Sequence, residues 1–190
     1  DRIELHAQTY TPILPKLVDA ISTVNESRCH VAKRGWVFER VIYNPGNGKT
    51  AGVGAMLGVE PVETTWNAKL SSVLPGMADH VYTNPPIYLP DSVALKLEVA
   101  IGAELRVNGF PYTYAGPFAS SVLKDMETID GVKILPPDFE TTARNMGIEK
   151  TKAGDPRGLE QVEQGSFVWF SPDRVAMTDM NALMTRYPES

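Results

Sequence analysis

The chain has 190 residues, with 23 acidic against 18 basic side chains and a net charge of −5; 43% of its residues are hydrophobic and 22% charged. This is a globular rather than a disordered composition, long enough to bury a core without staples. It excludes a clustered basic footprint for nucleic acid, because Lys33-Arg34 with Arg28 and Arg40 nearby is the densest basic region. No apolar run reaches the ~20 residues of a membrane helix, and the single cysteine, Cys29, excludes an internal disulfide or a multi-cysteine zinc site.

In chain order, Thr11-Pro12 can cap and open a helix, and Leu14, Leu17, Val18, Ile21 and Val24 continue it at helical spacing. Trp36 to Tyr43, WVFERVIY, is dense in β-branched and aromatic residues and predicts a strand. Asn44 to Thr50, NPGNGKT, separates it from a second apolar run, Ala51 to Val59. A short helix is expected near Asn67 to Val73, followed by the proline-rich TNPPIYLP, read as an extended segment joining strands. Val93, Leu95, Leu97, Val99 and Ile101 alternate, which predicts a strand with one buried face, and Leu105 and Val107 extend the pattern. Asn108-Gly109 is the strongest hairpin signal in the chain. Helices are expected from Ser120 or Ser121 to Met126, from Asp138 to Met146 with Gly147 as the stop, and from Met180 to Arg186. The polar stretch Thr151 to Gly165 reads as an exposed, mobile loop, and SFVWFSPDRVAMTD as two strands around Pro172-Asp173.

The Gly48-Lys49-Thr50 sequence raises the possibility of a phosphate loop. The pattern G-x-x-x-x-G-K-[ST] requires its first glycine where Tyr43 stands, so that the loop N–H groups can face the phosphates. A helix should also begin at the Lys-Thr pair, and Gly52, Gly54 and Gly58 oppose one. A turn between antiparallel strands, with Lys49 solvated and no nucleotide bound, fits better. Gly52, Gly54 and Gly58 do not complete a dinucleotide fingerprint, since no acidic residue lies near Ser71-Ser72; Gly52 and Gly54 instead fall on one face of a strand, where another element or chain can approach its backbone closely.

Asn84-Pro85-Pro86, with Tyr88 two residues on, resembles the Asn-Pro-Pro-aromatic motif of S-adenosylmethionine-dependent methyltransferases acting on amino groups, and Gly46 and Gly48 resemble that family's glycine-rich first motif. The resemblance implies an amino group held by the Asn84 side chain and a backbone carbonyl. The two motifs are close in sequence for a fold that places several strand–helix units of about 30 residues between them. His6, His30 and His80 are not at metal-ligand spacing, Cys29 reads as a small buried hydrophobe, and Ser71 or Ser72 with Asp79-His80 lacks the context of a hydrolase nucleophile. DMETIDG, Asp125 to Gly131, has its glycine one place late for a calcium loop and Pro136 where the closing Glu belongs. No residue is therefore assigned a catalytic, cofactor-binding or metal-ligating role, and no cofactor is called for. Tyr112, Tyr114 and Phe118, and Phe167, Trp169 and Phe170, are expected to be mostly core, with at least one aromatic near the surface as an anchor.

The fold expected is α+β within one domain spanning 1–190: strand-rich, a mainly antiparallel sheet or small barrel with several short helices. IGAELRVNGFPYTYAGP resembles the small β-barrel modules of phage head–tail connector proteins. The function expected is that of a non-enzymatic structural or assembly protein, of the virion, phage tail or neck kind, sited in a virion or the cytoplasm. It would act through protein partners or copies of itself, without nucleic acid or membrane. The alternative is a methyltransferase-like enzyme using 84–86.

Overall fold

The structure, a computed structural model, describes residues 32–79, 82–124, 126–127, 133–148, 159 and 166–188. The helix expected at 11–24, Cys29, His6, His30 and His80 lie outside these residues, as do most of 125–131 and all of 151–165 except Leu159. Leu159 itself is buried against Phe139, Ala143 and Phe167.

The strand-rich α+β expectation holds: six strands close into a mixed barrel, with short helices around it. The strands are β1 (Arg34–Tyr43), β2 (Thr50–Val59), β3 (Pro86–Pro90), β4 (Glu104–Val107), β5 (Phe110–Phe118) and β6 (Val175–Asp179). Their order around the barrel is β1-β2-β6-β3-β5-β4, and β4 returns to β1. The β2/β6 and β3/β5 pairs are parallel, and the remaining pairs antiparallel. The helices are α1 (Glu63–Trp66), α2 (Ala68–Val73), α3 (Asp91–Leu97), α4 (Ser120–Lys124), α5 (Phe139–Asn145) and α6 (Met180–Arg186).

The hairpin β1/β2 keeps one register from Arg34↔Val59 to Tyr43↔Thr50, but the ladder skips Glu39 and Gly54. Glu39 sits at φ 48, in the left-handed region that side chains avoid. This break turns the two strands over. Before it, Val37 and its partner Met56 face the barrel interior; after it, Ile42 with Ala51, and Val53, do so. Simple alternation therefore fails along WVFERVIY. The interior is completed by Ile87, Leu89, Leu105, Val107, Tyr112, Tyr114 and Ala176, with α3 packed beneath the 44–49 turn and α6 at the 34/59 end.

A second cluster lies outside the β2–β6–β3 wall. Ala55, Leu57, Val59, Tyr88, Val175 and Met177 meet Leu70 and Val73 of α2, Leu123 of α4, and Phe170. These strands are consequently buried on both faces, and every residue of β3 is buried. The Tyr88 hydroxyl donates to the Pro75 carbonyl at 2.7 Å. Burial, above all, and the neighbouring Tyr82 and Asp79 push its ionisation far above the ordinary tyrosine range. Helix α1 is tied to the start of β1 by a two-pronged pair, the Arg34 guanidinium donating to both carboxylate oxygens of the fully buried Glu63.

Three expectations are corrected. Ser92 to Ile101 is no strand: its first part is α3. Pro90 ends β3, and Val93, Ala94 and Leu97 form one buried helical face, while Leu95 is 76% and Ile101 68% exposed. Ala94 is small enough that the alternation of its larger neighbours hides the helical spacing. TNPPIYLP does not merely join strands, since Pro86–Pro90 is itself a wall strand; its prolines stand at its two ends, where a missing N–H is tolerated. Phe167 to Phe170 is not a strand but touches Pro137 through one isolated bridge at Trp169, and Pro172–Arg174 is a single 3-10 turn leading into β6. The Asn108-Gly109 turn is present, with φ 50 and φ 84 at its two residues between Val107 and Phe110. The helices at Asn67–Val73, Asp138–Met146 and Met180–Arg186 also form, the first two capped by the side chains of Asn67 and Asp138.

The glycines of β2 separate cleanly. A Cβ on Gly58 would come within 2.9 Å of Met180 Sδ and 3.1 Å of the Met180 α-carbon, whereas a Cβ on Gly52 meets nothing within 4 Å. Gly58→Val is expected to destabilise by about 1–3 kcal/mol through overpacking against α6. Gly52→Ala, in the same strand, is expected to be neutral or to stabilise by up to about 0.5–1 kcal/mol by removing glycine's backbone freedom. Urea midpoints of the two variants check this; equal losses at both positions would show that α6 does not rest on the strand.

Candidate functional site

The 44–50 segment is a hairpin connection, as expected, and its side chains show what it does. The Asn44 carboxamide oxygen accepts from Gly46 N at 2.9 Å, and its amide donates to the Leu97 carbonyl at 3.0 Å. Asn47 repeats the arrangement, accepting from Lys49 N at 3.0 Å and donating to the same Leu97 carbonyl at 2.9 Å. Each asparagine thus shapes the turn with one end and satisfies the last carbonyl of α3 with the other. Lys49 is not simply solvated: its ammonium pairs with Glu98 at 2.5 Å, on the surface. The glycines beyond Thr50 continue β2 instead of opening a helix, so the geometry of a phosphate loop is absent.

Gly54 is a point of close approach, as expected, since a Cβ there would run into the Phe170 ring, whereas at Gly52 nothing described comes near. Gly35 and Gly58, paired across the hairpin, give Met180 and Leu183 the same access. Of the aromatics singled out, Tyr112, Tyr114, Phe118, Phe167 and Phe170 are buried and Trp169 is half-buried, whereas Tyr43, Trp66 and Phe110 reach the surface. Among the described residues no three His, Cys, Asp or Glu side chains come together, and no helix is long and apolar enough to cross a membrane.

Two kinds of surface stand out. The first is an open groove of about 430 Å³ between α6 and the segment before β3. Asn84, Pro85 and Pro86 line one side, and Asp179, Asn181 and Arg186 the other. The Asp179 carboxylate is engaged in capping α6, accepting from Asn181 N at 2.7 Å. Beside the groove, Arg186 lies 4.1 Å from the centre of the Tyr112 ring and 5.7 Å from that of Phe110, while Arg40 lies 4.7 Å from that of Tyr187. Burial, above all, together with the nearby Tyr112 hydroxyl, pushes the Tyr187 phenol up to about 12 against the opposing pull of Arg40.

The second surface is the outer wall that no helix among the described residues covers. Glu39, Val41 and Tyr43 of β1, Thr50 and Gly52 of β2, and Glu104 and Arg106 of β4 all point outward. Val41 is 56% and Tyr43 39% exposed, and they stand opposite Gly52 and Thr50 in the ladder. The Lys49–Glu98 and Arg106–Glu104 ion pairs edge this apolar strip. Sequence reading missed it, because the residues that would cover a strand lie far away in the chain.

Asn44→Ala is expected to cost about 1–3 kcal/mol, since a buried carbonyl loses a partner and the turn an acceptor. Asn44→Asp, which keeps the acceptor but brings an anion to the Leu97 carbonyl, should cost at least as much. Lys49→Ala should change stability by no more than about 0.5 kcal/mol, as for exposed pairs. Denaturant titrations decide, and a harmless Asn44→Asp would remove the clamp on α3. Alkaline pH provides a further check. Tyr114, raised by burial and by Asp91, and Tyr187 both ionise near 12 in the folded chain, against 10.0 for a free phenol. The unfolded chain therefore loses these protons first. Their contribution to stability is complete below about pH 10 and is lost as pH rises towards 12. Phenolate absorbance followed against pH should show these two phenols lagging, and the Tyr187→Phe variant should lose part of the alkaline destabilisation.

No protein-family model matches the chain, and no curated protein matches its sequence.

Proposed function

We propose that this chain is a non-enzymatic assembly protein that works through contacts with protein partners or with copies of itself, in the manner of a virion, phage tail or neck component. One observation carries the reading: the described helices insulate the barrel on one wall and leave the other bare. The bare wall has the composition of an interface, with apolar Val41 and Tyr43 at its centre and charged pairs at its edge. Gly52 leaves the strand backbone beside Val41 open to close approach.

A second reading, a methyltransferase-like enzyme, draws on the position of Asn84, Pro85 and Pro86 along the groove beside α6. The antiparallel hairpin at 44–58 and the closed barrel weigh against it, because that chemistry belongs to an open, doubly wound sheet with a glycine turn leading into a helix.

Light scattering over a range of concentrations tests the self-assembling form. The expected result is a mass above that of one chain, reduced to a single chain by Val41→Asp with Tyr43→Ser while the melting temperature stays unchanged. A single-chain mass at every concentration would reject self-assembly and leave the same wall to be tested with other proteins. S-adenosylmethionine in a parallel melt should give no shift; a clear stabilisation, as mass action demands of a bound ligand, would favour the enzyme.

A further inference from the structure

We infer that the bare wall is one half of a symmetric pair. A second copy of the chain packs on it about a two-fold axis that lies between the two walls, crosses β1 at right angles and passes over the rung formed by Ile42 and Ala51. The inference rests on the assembly reading and adds to it the partner, the axis and the contacts. A two-fold interface requires a patch that is complementary to itself when turned over. An axis across β1 reverses the strand, so that a residue some places before Ile42 meets the residue equally far after it in the other copy. Tyr43 of one copy then faces Val41 of the other. Thr50 faces Gly52, since the ladder sets Thr50 opposite Tyr43 and Gly52 opposite Val41. The exposed Tyr43 ring thus arrives beside a hollow, because a Cβ on Gly52 would touch nothing within 4 Å.

Charge selects the same axis. Glu39 is exposed, and no ion pair among the described residues involves it. Glycine would adopt φ 48 without strain, so the chain carries a carboxylate at this position against a conformational cost. Turned over about Ile42, Glu39 faces Pro45 of the second copy, at the entry to the 44–49 turn. Lys49 lies beside that point, opposite Asn44, whose N–H donates to the Lys49 carbonyl at 2.8 Å. The remaining offset is about one residue along the strand and one strand across, ~3.3 Å and ~4.8 Å, which a lysine stem spans. The Lys49 ammonium holds Glu98 with one of its donors, and its side chain is still 41% exposed, so it can take the Glu39 carboxylate of the second copy as well. The other axis that fits between two walls runs along β1. It would set Glu39 on Glu39, a like-charge contact that opposes pairing.

The test follows the full chain by sedimentation over a range of concentrations. The expected wild-type mass rises from one chain towards two. Glu39→Lys and Lys49→Glu each set like charges together at both symmetric contacts and should weaken pairing about tenfold or more. The double variant, Glu39→Lys with Lys49→Glu, restores opposite charges across the axis and should regain most of the pairing, a rescue that a local structural role would not give. Cross-linking decides the matter if Glu39→Lys does not fold. In a Cys29→Ser background, chains carrying Val41→Cys are mixed with chains carrying Tyr43→Cys. A bismaleimide long enough to span the ~10 Å between packed sheets should join the two kinds in preference to like with like. A single-chain mass for the wild type at every concentration would reject the pair together with the self-assembling form of the assembly reading. A mass above one chain with neither charge rescue nor a preference for mixed cross-links would overturn this pairing alone and place assembly on another surface.

Discussion

The break in the β1/β2 ladder at Glu39 and Gly54 is the constraint on which the rest of the barrel depends. A non-glycine residue in the left-handed region costs on the order of 1–3 kcal/mol, and such a cost persists only where surrounding packing over-determines it. Here the packing is visible. Phe170 occupies the space that a Gly54 side chain would need, and the Arg174 guanidinium lies 5.5 Å from the Phe170 ring centre. On the near side of the break Phe38 faces outward, with its ring centre 5.8 Å from that of Phe139 and 5.9 Å from that of Phe170. On the far side the strand has turned over, Ile42 points inward, and Arg40 is directed towards α6. One strained residue thus distributes a single strand between two apolar clusters and delivers a guanidinium to a third place.

The same turnover explains why the described helices leave one wall bare. The first half of the hairpin lies with β6 and β3 beneath the helices, so β2 is buried on both faces from Val53 onward. The second half extends past them and pairs with β4. There only the inward face is covered, and Val41 and Tyr43 face outward. Burial on both sides makes the covered wall intolerant of polar groups unless they are paired. The fully buried Glu63 has Arg34, and Thr178 donates its hydroxyl to the Pro86 carbonyl at 2.6 Å. The bare wall is under no such restriction and is free to carry an interface.

Elements whose signals are local were legible in the sequence. NPGNGKT and Asn108-Gly109 announce turns through residues that accept unusual backbone angles, and the helices at 67–73, 138–146 and 180–186 stand where they were expected, with the side chains of Asn67, Asp138 and Asp179 capping their starts. The helix at 91–97 was not legible, because a small residue on its buried face let alternation imitate a strand. Strand order was not legible either: parallel neighbours such as β2 and β6 are joined by no turn whose chemistry could declare the pairing.

The position of β6 has a consequence for how the chain acquires its fold. β6 is the last strand of the barrel in sequence, yet it lies between β2 and β3, parallel to one and antiparallel to the other. Until it inserts, β2 and β3 each present an unpaired edge rich in apolar side chains, which is the kind of surface that recruits other chains. The contacts that close the barrel span long stretches of sequence, and such loops are slow to close. During synthesis the β1/β2 and β4/β5 hairpins can form early, but the wall between them must wait for residues 175–179. In that interval this protein is most exposed to mispairing with its own copies, and a chaperone or a slow rate of translation would have its greatest effect there.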